Sequence, residues 1–570
     1  MLEVSGPVGA DTGAEASVPG AGPASELDSG GRGLMATSPK EIFNRPVDTT
    51  YMGAPINNMT KGLPKEVESI CPEPGCMKII MARMFDEDGK VWMEKTCPDH
   101  GYVKDLYWSD VDLFLKAEKW EFGDGKGLMN PMSECSTCPD DCGICNQHTS
   151  HTSLGNIDLT NRCNLNCPIC FANANRLGRI YEPSKEEIMD MLRLYQTEQP
   201  VSGRMVQFSG GEPTIHPDFL DILRGASELG FSHIQVASNG IKFADEDFTM
   251  RAAEAGLHTI YLQFDGVEDR IYEQTRGRAL MKYKERTIEA VRKAGIKIVF
   301  VPTIAAGINE DQVGPILQYA LDNIDVLSAI SYQPVSLTGR LNCEDRQKLR
   351  YTLPDLARNV MEQTGYVTMD DWYPLSFTSP VSKIISALRG AETVHISCHP
   401  HCSLGTYLFI EQGTNRPVPL TQFVDVEGMF TELNYLAAKT RSSRFKQFAQ
   451  MNAFYKIQKY FDKKKAPKGM GFTKFLQTLD GFFDKNAGRG KKDGTYTNKT
   501  LLVAGMHFMD SYNYELERVR RCVVHYSTPA GKIIPFCSYN GGHCHRNAIE
   551  EEYSITLEEY KQRRREAAQN

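Results

Sequence analysis

The chain has 570 residues, 41% hydrophobic and 24% charged, enough apolar content for a large core and, on length, for two to four domains. The formal net charge of −8 argues against nucleic acid as a partner. No apolar run approaches the roughly 18 residues of a membrane span, and the start lacks the basic and apolar regions of a signal peptide, so a cytoplasmic protein is expected.

Residues 1–40 are rich in Gly, Ala, Ser and Pro and read as a disordered tail; Met35 opens a more ordinary stretch and is a candidate start. Residues 65–150 hold seven of the sixteen cysteines. Their short spacings suit metal ligation in a reducing compartment better than disulfides. Between Cys76 and Cys97 two β-rich runs flank Asp86–Gly89 and predict a hairpin. From residue 155 strands and helices alternate. Candidate strands are Asn156–Leu159, Met205–Phe208, His233–Ala237, Thr259–Phe264, Lys297–Ile304 and Ala329–Pro334. A helix over Ser184–Gln196 opens with Ser184 and Glu187 at capping-box spacing, and another over Tyr283–Ala294 ends at Gly295. Six strands in this order predict an α/β fold with a parallel sheet whose active site sits at the C-terminal strand ends. After about residue 340 the pattern loosens. Residues 441–500 carry fifteen Lys or Arg against four Asp, interleaved with aromatics. The final stretch, from about Leu501, returns to β-like text with three more cysteines and a charged helix around Leu557–Ala567.

The text "CNLNCPIC" just past the first strand places Cys163, Cys167 and Cys170 as C-x3-C-x2-C. Three thiolates on a short loop can hold three irons of a 4Fe–4S cluster and leave the fourth iron open to a small molecule. An electron carrier or a zinc knuckle would close that position with a fourth ligand. Phe171 would shield one side. The second strand ends in "FSGGEP", where Gly210 and Gly211 allow close backbone approach and Glu212 offers a carboxylate to an ammonium group. The two motifs in register resemble the radical S-adenosylmethionine (SAM) superfamily. That resemblance implies a partial (β/α)6 barrel in which SAM chelates the unique iron and is cleaved to a 5′-deoxyadenosyl radical. Ser238, Asn239, Gln263, Asp265, Thr303 and the Ala305–Asn309 segment, at later strand ends, are candidates for the cofactor shell.

The other cysteines suggest further metals. Cys135, Cys138, Cys142 and Cys145, as C-x2-C-x3-C-x2-C, suit an auxiliary 4Fe–4S cluster. Cys71, Cys76, Cys97 and His100 read as two knuckles around the hairpin, a zinc-ribbon or rubredoxin-like site for one Zn or Fe. Cys402, Cys522 and Cys537 are candidates for a third cluster, whereas Cys343 looks like a lone thiol. His399, His401, His543 and His545 read as groups behind the ligands, substrate contacts or solvated side chains.

The block from Cys135 to Ala174, with the N-terminal knuckle and the C-terminal "VVHYSTPAGKIIPFCSYN", resembles the archaeal tetraether lipid synthase family, which overlaps with class D radical SAM methylases. The departures are the tail before Met35, the four-residue gap in Cys71–Cys76 and the extra Cys544. The resemblance implies carbon–carbon bonds made between terminal carbons of isoprenoid chains in archaeal diether phospholipids, with an external electron donor such as ferredoxin or flavodoxin. Lys463, Lys464, Lys465 and Lys468 would then meet phosphates, in peripheral contact with the inner membrane face. The alternative is a radical SAM methylase of a pterin cofactor, or a peptide-modifying enzyme; a non-enzymatic multi-cluster electron carrier is a further rival. The expected organisation is a tail over 1–40, a metal knuckle over 65–110, an auxiliary cluster segment over 111–152, the barrel over 153–340, and an auxiliary cluster and substrate domain over 341–570.

Overall fold

The computed structural model describes residues 45–47, 59–123, 128–134, 137–341, 345–411, 413–441, 446–482, 499–542 and 545–569, all within one compact unit spanning Ile42–Asn570. The tail over 1–40, Cys135, Cys343, His543 and Cys544 lie outside the described residues, as do 442–445 and 483–498 of the basic segment.

The N-terminal strands Lys65–Ile70, Ile79–Glu87, Lys90–Cys97 and Gly101–Trp108 form an antiparallel sheet in chain order. The turn of the predicted hairpin holds Asp88 and Gly89 at φ 55° and 73°, both in the left-handed region that a tight two-residue turn requires. In such a meander the first and third connections fall at one end and the second at the other. That alternation places Cys71–Cys76 and Cys97–His100 beside each other.

The strands Leu154–Thr160, Met205–Gly210, His233–Ser238, Thr259–Gln263, Lys297–Val301 and Leu327–Pro334 are parallel and neighbour one another in chain order. Every crossover therefore steps the same way. A right-handed connection repeated in one direction curls the sheet, with the crossover helices on its outside. Those helices follow their sequence signals. Lys185–Tyr195 starts at a capping box between Ser184 and Glu187, and Met281–Ala294 stops at Gly295 with φ 70°.

The segment after residue 340 extends this sheet on both sides. Thr500–Met506 adds in parallel to the sixth strand and Val524–Ser527 in parallel to the first. Antiparallel strands then follow, Ser403–Ile410 on one side and Ile533–Pro535 on the other. The strand path does not close on itself among the described residues. Phe461 and Phe472 pack with the buried Phe475, Phe409 and Phe423 in a second apolar core. These aromatics of the basic stretch thus face inward instead of forming a membrane-facing band.

Glu198, on the loop after the first crossover helix, is 2% exposed. It accepts from the backbone N–H of Thr152 at 2.7 Å and from the Thr152 hydroxyl. Burial raises its carboxyl to about 7, against those hydrogen bonds. An acid raised in the folded state is accommodated in its protonated form. Stability is therefore undiminished below the unfolded value near 4.5 and declines as pH rises to about 7, by roughly 3 kcal/mol in all. Glu198→Gln is expected to flatten this decline in denaturant melts taken from about pH 5 to 8.

Candidate functional site

The cysteine loop leaves the C-terminal end of the first barrel strand, and the second strand locks it in place. The backbone N–H of Gly211 donates to Thr160 O (2.7 Å) and that of Glu212 to Arg162 O (2.9 Å). A Cβ on Gly210, at φ 126°, would collide with the Thr160 carbonyl, and one on Gly211 with the Arg162 carbonyl. The glycines serve the cysteine loop directly. Asn175, not singled out from the sequence, clamps the loop from the other side: its Oδ1 accepts from Cys163 N (2.9 Å) and its Nδ2 donates to Cys163 O and Leu165 O (3.1 Å each). Arg340, also not foreseen, donates to Cys167 O (2.7 Å) and Ala174 O.

Cys163, Cys167 and Cys170 line one end of a cavity of about 240 Å³, together with Phe171, Gly210, Gly211 and Glu212. Burial, then the Glu212 charge and the neighbouring thiols, raises the Cys163 thiol to about 12. Burial works against the thiolate form of Cys163 and Cys167, and a metal cluster supplies the cations that favour it. The open edge of the loop and the close-backed glycines fit a cluster with a small molecule beside it.

Glu212 is fully buried. Its Oε1 accepts from Thr214 Oγ1 (2.5 Å) and Ser238 Oγ (2.9 Å), and its Oε2 from Asn239 N (2.9 Å). Burial raises its carboxyl, with these bonds acting the other way. Ser238 and Asn239 line the cavity and also fix Glu212. Gln263 and Thr303 line it too, but Asp265 does not. Asp265 lies behind the wall, paired with Arg276 at 2.6 and 2.9 Å and accepting from Thr303 N at 3.0 Å. Its burial opposes ionisation, yet the Arg276 charge outweighs that and holds the carboxyl below its usual value. Arg276, unforeseen, is the cavity-facing member. It donates to Ile169 O (2.9 Å) in the cysteine loop. Asn309 of the "AAGIN" segment ties Asp265 O to Thr303 O (3.0 and 2.8 Å), outside the cavity lining.

Another wall comes from the C-terminal segment: Phe508, Tyr526, Phe536 and Cys537. Phe171 sits 6.0 Å from Phe536, ring centre to ring centre. Cys537 shares an apolar core with Cys138, Cys142 and Cys145. Burial raises Cys522 well above its usual value, and the charges of Cys537 and Cys402 add to that. These thiols do not crowd round one point as ligands of a single ion do. Thiolates on a cubic cluster bind different irons and stand farther apart.

The ribbon cysteines do crowd. His100 Nδ1 lies 3.6 Å from Cys71 Sγ and 3.5 Å from Cys97 Sγ, and Cys76 Sγ lies 3.9 Å from Cys97 Sγ. A tetrahedral zinc with ordinary bond lengths demands about 3.6 Å for each S–N edge and about 3.8 Å for each S–S edge. The wide Cys71–Cys76 gap is absorbed by left-handed Gly75, at φ 81°. Cys97→Ser is expected to remove one equivalent of metal by elemental analysis and to lower the melting midpoint by about 5 °C or more.

His399 and His401 lie away from the cavity in a buried ionic network. Tyr107 donates to Glu515 Oε2 (2.5 Å) and sits 3.1 Å from His401 Nδ1, while Lys65 donates to Glu118 (2.5 Å) beside His401 Nε2. His399 Nδ1 accepts from His401 N (3.3 Å), so a neutral ring carries its proton on Nε2, facing Glu515 Oε1 at 3.5 Å. The network fastens the ribbon to the C-terminal segment. His545, the other described histidine of that group, lies 2.9 Å from Pro139 O.

Comparison with known proteins agrees with this geometry. Residues 157–320 match the radical SAM superfamily and residues 63–109 the HMPTM N-terminal zinc ribbon domain. The 7,8-dihydro-6-hydroxymethylpterin dimethyltransferase of Methanocaldococcus jannaschii is 41% identical over 500 residues, 87% of this chain and 97% of that protein. The chain belongs to this radical SAM family. A probable GTP 3′,8-cyclase of Methanothermobacter thermautotrophicus is 26% identical over 196 residues, 34% of this chain and 61% of that one. Among solved structures, Streptococcus suis SuiB bound to S-adenosylmethionine matches at 20% identity and a TM-score of 0.32, over 39% of this chain and 49% of that chain.

The family carries a 4Fe–4S cluster and SAM and needs a reductant, and the ribbon fits a mononuclear metal. The lipid reading is corrected here. Joining isoprenoid chains is what the resemblance to the tetraether lipid synthase family implies, but the relative that this chain matches almost end to end is a pterin dimethyltransferase. Archaeal diether phospholipid is withdrawn as the substrate. No helix among the described residues is long and apolar enough to cross a membrane, and nothing supports contact with a membrane.

Proposed function

We propose that the chain is a radical SAM enzyme that methylates a pterin of the 7,8-dihydro-6-hydroxymethylpterin type, with the carbon coming from a one-carbon donor separate from the SAM that is cleaved. The observation that carries this is its 41% identity with the pterin dimethyltransferase across 97% of that protein. The cavity supports it: below the cysteine loop its wall holds Asn156, Gln207, Tyr261, Gln263 and Gln333. A few amides and a phenol set in a largely apolar wall suit a flat nitrogen heterocycle.

In this reading Cys163, Cys167 and Cys170 would hold a 4Fe–4S cluster, which when bound would supply the reducing electron for SAM cleavage. Gly210–Glu212, Ser238 and Asn239 bound the space for SAM next to it. Asp265 holds the Arg276 guanidinium beside Cys167. Phe508, Phe536 and Tyr526 give the cavity an aromatic wall, and apolar surface of this kind would protect a carbon-centred radical. Cys138, Cys142, Cys145 and Cys537, with Cys402 and Cys522, remain proposed ligands of auxiliary clusters. An external electron carrier and a cytoplasmic location also belong to the proposal.

The reading is tested by anaerobic reconstitution with iron and sulfide, followed by SAM and a reductant with and without the pterin. The pterin is expected to speed 5′-deoxyadenosine formation. A rate indifferent to the pterin would count against it.

A further inference from the structure

Three in-register residues on the first three barrel strands form a row of amides. Asn156 is paired with Gln207, and Gln207 with Gln235. The row is polarised. His233 Nε2 lies 3.2 Å from Gln235 Oε1, Gln235 Nε2 donates to Gln207 Oε1 (2.6 Å), and Gln207 Nε2 donates to Asn156 Oδ1 (2.9 Å). Asn156 Oδ1 already accepts from Gln207, whereas its amide N–H groups are unused. Asn156 is 0% exposed, and its Nδ2 has no hydrogen-bond partner. Buried donors are nearly always paired, so an orphan at the end of a satisfied row asks for an acceptor from elsewhere.

Asn156 and Gln207 line the cavity. Gln207 precedes Gly210 by three residues, which places the row roughly 10 Å below the strand end where the glycines meet the cysteine loop. The orphan thus lies on the substrate side of the cavity. The acceptor it lacks is a carbonyl or ring-nitrogen atom on the edge of a planar heterocycle. On a pterin the strongest such acceptor is the 4-oxo oxygen.

We propose that Asn156 is the residue that reads the 4-oxo oxygen of the substrate ring, a proposal that rests on the pterin reading above. An unused amide donor disfavours a ring bearing a 4-amino group, because two donors would then face each other at a buried position.

The test compares reconstituted full-length wild type and Asn156→Asp at about pH 8. Pterin fluorescence gives the Kd of 7,8-dihydro-6-hydroxymethylpterin and of its 4-amino counterpart, and the Kd of SAM is measured alongside. Asn156→Asp keeps the acceptor for Gln207 and replaces the free donor with an acceptor. Wild type is expected to favour the oxo compound on the order of 10- to 100-fold. The variant is expected to lose that preference or reverse it, with SAM binding unchanged. Equal binding of the two compounds by wild type would overturn the proposal even if the variant failed to fold. So would a variant that holds the oxo compound as tightly as wild type, or one that loses SAM to the same degree. Wild type that cleaves SAM but binds neither compound would overturn the pterin reading itself, a result distinct from loss of ring discrimination.

Discussion

Cys167→Ala is expected to reduce SAM cleavage to the uncatalysed background, while the protein folds and keeps its ribbon metal. Cys167 is one of three thiols that line one end of the cavity. Burial keeps it a poor thiolate, and the Arg276 charge offsets this only in part. A cluster bound by three cysteines, with one iron left open, has no protein ligand in reserve. The remaining two thiols leave a second iron unheld. Loss of the cluster's visible absorption together with loss of 5′-deoxyadenosine is the expected pair of readings. Cleavage that persists with only a modest drop would mean that another thiol replaces Cys167 and that the three-cysteine assignment is wrong.

Gly211→Ala is the second large effect. A methyl group there would overlap the Arg162 carbonyl carbon and oxygen, both backbone atoms of the segment entering the cysteine loop. No rotamer relieves the clash, so the loop and the second strand must separate. The hydrogen bonds from Gly211 N to Thr160 O and from Glu212 N to Arg162 O hold that contact now. Displacing the cysteines relative to Glu212 by even about 1 Å is expected to cost on the order of 100-fold in SAM cleavage. Steady-state 5′-deoxyadenosine formation reads this, with a melting curve to show that the fold survives. Unchanged activity would show that the junction yields without moving the cysteines.

The parts of this site that could be read from the chain are those encoded over a few residues. Cys163, Cys167, Cys170 and the Gly210–Glu212 turn announce themselves by spacing, because a loop and a turn are local structures. The six barrel strands are legible for a related reason. They are short β-rich runs alternating with helices whose ends carry local signals, as at Ser184 and Gly295. Arg276 was invisible. In the sequence it is an ordinary basic residue near a helix end, and only the crossover brings it under Asp265 and against Ile169 O. Asp265 stood out as a strand-end carboxylate, but it spends that charge on Arg276 rather than on the cavity. The strand Val524–Ser527 pairs with Leu154–Gly155–Asn156 across about 370 residues of chain, a distance at which no periodicity carries information.

The substrate was misjudged for the same physical reason. Cysteine spacing specifies what holds iron, and related enzymes with different substrates share it. The residues that would discriminate a pterin from an alkyl chain are Asn156, Gln207 and Gln263, single polar side chains within strands. None forms a motif, and nothing in the chain marks them as facing one cavity until the strands are set side by side.

The central claim is most directly tested by the mass of the pterins extracted from a bacterial host that makes 7,8-dihydro-6-hydroxymethylpterin and expresses this chain, beside the same host expressing Cys167→Ala. The host supplies the reductant and the one-carbon donor. Pterins heavier by one or two methyl groups in the first culture alone are the predicted result. Unmethylated pterins in both, with the wild-type protein folded and carrying its clusters, would contradict it.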